Sequence, residues 1–207
     1  IKSTELEEIR GLFKEGLCIS AISRIFKVNR STVRRFAKSH SIRTNPQPNR
    51  HKLQLERRYD LGYVLGVVLG DGWCYKQQKT KTYPIGLNSI DKEFVEYFAR
   101  KLAKLLARRP IPIYKVHPKQ PNKQSYYRVQ ITSTTFGEMY KSWTLSHIEA
   151  MLSTSEDMKI GFLRGFFDSE ASFCFSRDRF QVYLCNTNLP LLQLNRKLLA
   201  TLNIEAF

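Results

Sequence analysis

Across the first forty residues, apolar side chains recur three and four apart, the spacing that lines one face of a helix. Leu6, Ile9, Leu12 and Phe13 in "TELEEIRGLFKEG" predict a first helix. Glu7 and Glu8 sit near its N-terminus, where the helix dipole favours acids, and Gly16 can stop it. Ile22, Ile25 and Phe26 in "SAISRIF" predict a second helix. "KVNR" then makes a turn in which Val28 can plug the core. "STVRRFAKSH" predicts a third helix, with Ser31 as its N-cap and Val33 and Phe36 facing inward.

Beyond residue 58 the pattern changes. "LGYVLGVVLGDGW", Leu61 to Trp73, is apolar nearly all round, with glycines at 62, 66 and 70 and a carboxylate at Asp71. Glycine in a helix interior costs about 1 kcal/mol relative to alanine, so the spacing needs a reason. A second stretch, "IGFLRGFFDSEASF" from Ile160 to Phe173, repeats it. Gly161 aligns with Gly62, Gly165 with Gly66, Ser169 with Gly70 and Glu170 with Asp71. Small residues at i, i+4 and i+8 lie along one side of a helix and let a neighbouring backbone approach. The two stretches are therefore expected to pack as a helix pair through Gly62, Gly66, Gly70, Gly161, Gly165 and Ser169, bringing Asp71 and Glu170 together beneath the helix ends.

Between the stretches the periodicity alternates. "WCYKQQKTKTYPIGLNS" predicts two strands, and "DKEFVEYFARKLAKLL" a helix with Phe94, Phe98, Leu102 and Leu105 along one side. "PIYKVHP" and "SYYRVQITS" predict two more strands. In the last, Tyr127, Val129 and Ile131 alternate with Tyr126, Arg128 and Gln130, the signature of a sheet with one apolar and one polar face. "FGEMYKSW" adds a helix. After the second stretch come "SFCFSR", "FQVYLCN" and the helix "LPLLQLNRKLLATLN". The class is α+β. The division expected is 1–42 as a three-helix domain, 43–58 as a basic linker, 59–158 as a first repeat and 159–207 as a second repeat with fewer elements, read as incomplete.

Charge then narrows the partner. The 207 residues carry a formal net charge of +16, of which +9 falls in residues 1–58. So basic a chain invites a polyanion, nucleic acid above all. No apolar run reaches the ~18 residues that cross a membrane, and no secretory leader is recognisable. Cys18, Cys74, Cys174 and Cys185 show no CxxC pairing and the four histidines are scattered, which argues against a zinc site and for reduced thiols in an intracellular protein.

Residues 4–42 are similar to the helix-turn-helix domain of resolvases and many repressors. That resemblance implies that the third helix enters the major groove, with Arg30, Ser31, Thr32, Arg34 and Arg35 facing bases and phosphates. A plain three-helix bundle with a solvated basic face fits the same pattern. The linker residues Arg43, Arg50 and Lys52 either track DNA phosphates or belong to a solvated tether.

The two glycine-rich stretches, V-L-G-V-V-L-G-D-G from Val64 to Gly72 and L-R-G-F-F-D-S-E-A from Leu163 to Ala171, resemble the LAGLIDADG motif of homing endonucleases. Leu69 replaces the motif's first aspartate in one copy, and Ala171 its final glycine in the other. The resemblance implies αββαββα repeats and a monomer that binds double-stranded DNA. It also implies a cut in both strands with 3′ overhangs, in an enzyme of intron or intein mobility. It makes Asp71 and Glu170 the ligands of Mg²⁺, or of Mn²⁺ or Ca²⁺ in its place. By position in the family pattern Asn88 orders water, while Lys92 and Lys141 are candidate basic residues near a scissile phosphate, or simply solvated charges. Cys185 stands where Asn88 does in the other repeat. Strand residues Lys76, Gln78, Lys79, Lys81, Arg128, Gln130, Arg177, Arg179 and Gln181 are the DNA-contact candidates. The other functions open to this fold are a catalytically inactive DNA-binding regulator and an intron maturase that binds RNA.

Overall fold

The computed structural model describes residues 3–14, 17, 19–42, 51–78, 80, 82–118, 120, 122–176 and 179–207. The chain divides into two compact units, Ile1–Pro48 and Asn49–Phe207.

The first unit holds α1 (Ser3–Lys14), α2 (Ile19–Ile25) and α3 (Arg30–Ser39). Ile9, Phe13, Ile22, Val33 and Ala37 form its core, with Leu12, Phe26, Val28 and Phe36 packed around them. Two details differ from the sequence reading. Ile25 is 53% exposed, so α2 contributes Ile22 to the core and leaves Ile25 in solvent, while Phe26 packs on the core just past the helix. The cap of α3 is Asn29, not Ser31. Asn29 has extended backbone, and its side chain accepts from the Ser31 N–H at 2.9 Å, so the cap lies two residues earlier. Gly16 and the side chain of Leu6 lie outside the described residues.

The second unit opens with a segment that is more than a tether. Leu53 packs on the main core and the Gln54 N–H donates to the Leu105 carbonyl at 2.9 Å. Then follow α4 (Arg58–Leu69), β1 (Trp73–Cys74), β2 (Pro84–Ser89), α5 (Lys92–Leu105), β3 (Ile113–Val116), β4 (Tyr126–Thr132) and α6 (Thr134–Ser142). The strands form an antiparallel sheet of order β1-β2-β4-β3. Leu87 pairs with Val129, and Val129 with Ile113, on the face toward the core. Asn88 pairs with Arg128, and Arg128 with Tyr114, on the other face. The predicted alternation therefore holds: Val129 is buried, Tyr127 and Ile131 pack on the core, and Gln130 is exposed. α5 closes the apolar face with Val95, Phe98 and Leu102.

An unanticipated helix, α7 (Leu145–Ser153), precedes the second repeat. Thr144 and His147 cap it reciprocally, and Ile148 and Leu152 bury it. α8 (Glu156–Glu170) then runs directly into β5 (Ala171–Ser176), which pairs with β6 (Arg179–Leu184), and α9 (Leu189–Ala200) follows. Among the described residues no helix is long and apolar enough to cross a membrane.

Candidate active site and nucleic-acid interface

α4 and α8 pack in parallel through the predicted glycines. A methyl group at Gly62 would sit 2.0 Å from the Met158 carbonyl oxygen, and one at Gly161 would sit 2.2 Å from that of Tyr59. At Gly66 the obstacle is the Phe162 oxygen at 2.2 Å, and at Gly165 the Tyr63 oxygen at 2.3 Å. Each glycine thus faces the carbonyl three residues before its aligned partner, from both sides. The two helices are related by an approximate two-fold rotation, and no side chain fits between them at these points. Backbone contact this close suits Cα–H···O=C interactions, which are weak singly but recur here four times.

The same contact carries the acids to one another. At Gly70 an added methyl would meet Ser169 Cβ at 2.6 Å and Glu170 Cγ at 3.3 Å. Ser169, the third small residue, donates to the Gly165 carbonyl at 3.0 Å and so stays within its own helix. Glu170 ends α8 and is half-buried, while Asp71 lies just past α4 in the turn at Gly70 and Gly72 and is exposed. Where the first motif has Gly72, the second has Ala171 in extended conformation, so α8 enters its strand without that turn.

Partial desolvation raises the Asp71 carboxyl above its ordinary value. The Glu170 carboxyl is raised by desolvation first and by the charge of Asp71 second, and a hydrogen bond from Asn186 opposes both. Among the described residues no lysine or arginine forms an ion pair with either acid. Two like charges are therefore held together with no protein cation between them.

Asn186 escaped the sequence reading, which looked at Cys185. Cys185 is exposed. The Asn186 Oδ1 accepts from the Asn188 N–H at 2.8 Å, which leaves its amide N–H groups for Glu170. The N-L-P start of α9 was the available signal: Asn188 caps that helix ahead of Pro190 and fixes the loop before it. Asp168, the motif acid that Leu69 lacks, accepts from the buried Tyr63 hydroxyl at 2.8 Å. That bond ties the last turn of α8 to α4.

The supporting candidates are placed less simply. Asn88 is half-buried on the polar strand face and its Oδ1 accepts from Arg128 Nε at 2.9 Å. Lys92 is paired with Glu96 at 3.1 Å, one turn along α5, and Lys141 is exposed in the last turn of α6. Neither lysine contributes to the electrostatics of Asp71 or Glu170. Glu96 holds one at the helix surface and solvent surrounds the other, and among the described residues neither forms an ion pair with Asp71 or Glu170.

Of the DNA-contact candidates, Lys52, Lys76, Gln78, Gln130, Arg179 and Gln181 are exposed, and Arg128 is braced by Asn88 and by the Tyr126 hydroxyl at 3.1 Å. Arg30, Ser31, Arg34 and Arg35 are exposed on α3, and Thr32 is half-buried. Arg43, Arg50, Lys79, Lys81 and Arg177 lie outside the described residues.

Comparison with known proteins decides the family. A family model described as a LAGLIDADG-like domain matches residues 157–206, which span α8, β5, β6 and α9. "Uncharacterized protein MJ0314" of Methanocaldococcus jannaschii is 32% identical over 188 residues, covering 89% of this chain and 68% of that protein. This chain belongs to the LAGLIDADG family. A second protein of the same organism, "Uncharacterized protein MJ0398", is 26% identical over 204 residues, covering 96% of this chain and 70% of its own length. Among solved structures, variants of the homing endonuclease I-DmoI share the fold with a TM-score of 0.53 at 18% identity, over 72% of this chain and 79% of theirs. I-DmoI in complex with DNA and Mn gives the same TM-score at 17% identity, over 72% and 80%.

The donor chemistry of the LAGLIDADG helix ends suits a hard divalent cation. Asp71 and Glu170 offer only carboxylate oxygens, adjacent, partly desolvated and unneutralised. Mg²⁺ needs one or two carboxylates and completes its shell with water and phosphate oxygens. Among the described residues no group of three or more His, Cys, Asp or Glu side chains could hold a metal, so a cation on this acid pair would take the rest of its shell from water or a bound ligand.

Proposed function

We propose that this LAGLIDADG chain is a sequence-specific endonuclease that makes a metal-dependent cut in both strands of a long duplex site and leaves 3′ overhangs. The observation that carries the reading is the glycine-to-carbonyl helix contact that sets Asp71 beside Glu170 without a neutralising cation. The likeness of fold to I-DmoI, a homing endonuclease solved with DNA and Mn, supports the same reading. Asp71 and Glu170 would hold Mg²⁺ or Mn²⁺; bound there, the cation would activate water and stabilise the departing oxygen of a phosphodiester.

The chain's own residues do the rest. Asn186 orients Glu170 and spreads part of its charge. Arg128, held by Asn88 and Tyr126, presents a fixed guanidinium on the polar strand face, the geometry that suits a phosphate or a guanine edge. Gln130 adds to that face of β4, and Arg179 and Gln181 offer further exposed polar groups on β6 of the second repeat's ribbon. The three-helix unit acts as a helix-turn-helix, with Arg30, Arg34 and Arg35 of α3 at the major groove, and lengthens the site read. With half a dozen phosphates neutralised, binding falls with salt at a log–log slope of roughly −0.9 per contact.

Incubation of the full chain with a random duplex library and Mg²⁺, followed by sequencing of the ends, tests the reading. Cleavage at a defined site is expected. Asp71→Asn and Glu170→Gln are expected to abolish it while duplex binding persists, and cleavage retained in either variant would overturn the metal assignment. A second reading, a DNA-binding regulator without cleavage, is favoured by the pairing of Lys92 with Glu96 and the exposure of Lys141, since neither lysine pairs with Asp71 or Glu170 among the described residues. Site-specific duplex binding with no cut in Mg²⁺ or Mn²⁺ would select it, and preference for an intron RNA over duplex DNA would select a maturase.

A further inference from the structure

One flank of α5 lies outside the acid site, where the core residues Ala99 and Ala103 come up to line a groove. Between this helix and β3 lies a groove of about 340 Å³, floored by Ala99, Ala103, Ile111 and Ile113. That volume is at the small end of ligand pockets, about 300–1,000 Å³, and suits a few side chains rather than a whole cofactor. Arg100, Lys104 and Arg108 border it. Their spacing of four sets them in a row along the helix and its exit.

These three cations differ from the other lysines of the same helix. Lys92 is neutralised by Glu96 at 3.1 Å, and Lys101 by Asp60 at 2.8 Å. Arg100, Lys104 and Arg108 pair with no carboxylate among the described residues, and Arg100 only leans over the Tyr97 ring at 5.3 Å. The groove's one acid, Glu96, is the partner of Lys92. A helix C-terminus favours nearby cations, which accounts for Lys104 and Arg108. The effect fades within the last turn, so it does not account for Arg100. The result is an apolar floor beside an uncompensated positive edge.

We propose that this groove docks an acidic, amphipathic segment of a partner protein, which seats apolar side chains on the floor and carboxylates against Arg100, Lys104 and Arg108. The floor decides between a protein and a nucleic acid. It is aliphatic, with no ring on which a base could stack, and apolar side chains gain from covering it. The position adds a consequence. Ile113 pairs with Val129 on the core side of the sheet, whereas Arg128 and Tyr114 lie on the other face. A segment in the groove leaves the polar strand face clear, so the chain can hold nucleic acid and this partner at once.

The test uses the full chain and three labelled synthetic peptides at physiological salt: Glu and Leu alternating at helical spacing, the same with Gln for Glu, and the same with Ser for Leu. A single-stranded oligouridine is the fourth probe. The Glu/Leu peptide is expected to bind at least about tenfold more tightly than either altered peptide, with amide shifts confined to residues 96–113. The triple variant Arg100→Gln, Lys104→Gln, Arg108→Gln is expected to lose that margin and to keep its duplex DNA affinity. Equal binding of the Gln or Ser peptide, shifts elsewhere, or a triple variant that still binds would overturn the proposal. So would loss of oligouridine binding with the peptide unaffected, which would assign the groove to RNA.

Discussion

In the first repeat, α4 leads into a four-stranded sheet whose apolar face is closed by α5. In the second, α8 leads into the β5–β6 ribbon, where Phe173, Phe175 and Phe180 are 67, 73 and 64% exposed. Yet α4 and α8 meet with equal closeness from both sides, within 2.0–2.3 Å at all four glycines for a hypothetical methyl group. The acid pair therefore depends on the helix interface and not on the size of the sheet behind each helix. The repeats also differ around the interface. Asp60, Tyr63 and Leu69 of one align with Lys159, Phe162 and Asp168 of the other, so each bond these residues make is one-sided. Shared backbone contact sets where the acids stand, and unshared side chains set how each is held.

The largest effect should come from spoiling what the repeats share. Gly66→Ala puts a methyl 2.2 Å from one backbone oxygen and 2.7 Å from the Phe166 nitrogen, and neither can rotate away. The helices must separate, at a cost of about 3 kcal/mol or more. Gly165→Ala should cost a similar amount, because the contact is mirrored. Gly11, in α1, has nothing within 4 Å of an added methyl, so Gly11→Ala should stabilise its helix by about 0.5–1 kcal/mol. Denaturant unfolding of the three variants checks the contrast, and a mild Gly66→Ala would break it.

Next comes a bond that only the first repeat makes. Asp60 is buried and holds Lys101 at 2.8 Å and Arg57 at 3.9 Å. Lys101 also lies over the rings of Tyr59 at 4.4 Å and Tyr97 at 5.1 Å. Asp60→Asn leaves that ammonium without its counter-charge. Removing one partner of a buried pair costs about 3–5 kcal/mol, and the two rings should hold the loss near 3 kcal/mol. Chemical unfolding of Asp60→Asn beside the Lys101→Met, Asp60→Asn double variant measures it, since the double variant should recover part of the loss.

Much of this was legible in the sequence because it lives in spacing. Glycines four apart named the interface, and alternation in "SYYRVQITS" named the two faces of β4. What escaped was chemistry between positions that spacing does not relate. α7 was missed because "TLSHIEAMLS" is short and its cap partner is a histidine rather than the usual glutamate or glutamine. Asn186 was missed because counting along the strand reached Cys185, whereas the loop held by Asn188 turns the next residue toward Glu170. Serine favours the cap position, which made Ser31 the expected cap of α3, but Asn29 lies two residues earlier with the right backbone. For Lys92 the spacing also hid a pairing with Glu96, four residues on, at the helix surface.

A smaller effect is expected where the repeats can be made alike. Tyr63→Phe installs the residue that the second repeat has at Phe162 and removes the bond to Asp168 at 2.8 Å. Asp168 is partly exposed and leans on Arg164 at 3.9 Å, so water replaces part of the loss. A drop of about 1–2 kcal/mol in stability is expected. If the bond steadies the last turn of α8, hydrogen exchange at Ser169 and Glu170 should quicken more than at Gly70 and Asp71. Equal quickening at both helix ends would show that the tie is not one-sided.

The smallest effect concerns the acids themselves, and its sign is unusual for carboxylates. Both are raised in the folded state, so the folded chain binds their protons more readily than the unfolded chain does. The penalty is full above the raised values and disappears as pH falls below the ordinary ones, so this pair alone makes the protein more stable on mild acidification. Asp71→Asn removes one charge and should stabilise the metal-free chain by about a few tenths of a kcal/mol, because both groups are partly solvated. The same substitution should lower the Glu170 pKa in a carboxyl-carbon NMR titration, and Asn186→Ala should raise it. A divalent cation that binds only the folded chain should raise the melting temperature of the wild type more than that of either acid variant. A Glu170 pKa indifferent to Asp71→Asn would mean that the two carboxylates do not sense one another, and the symmetry of the helix pair would then end short of its acids.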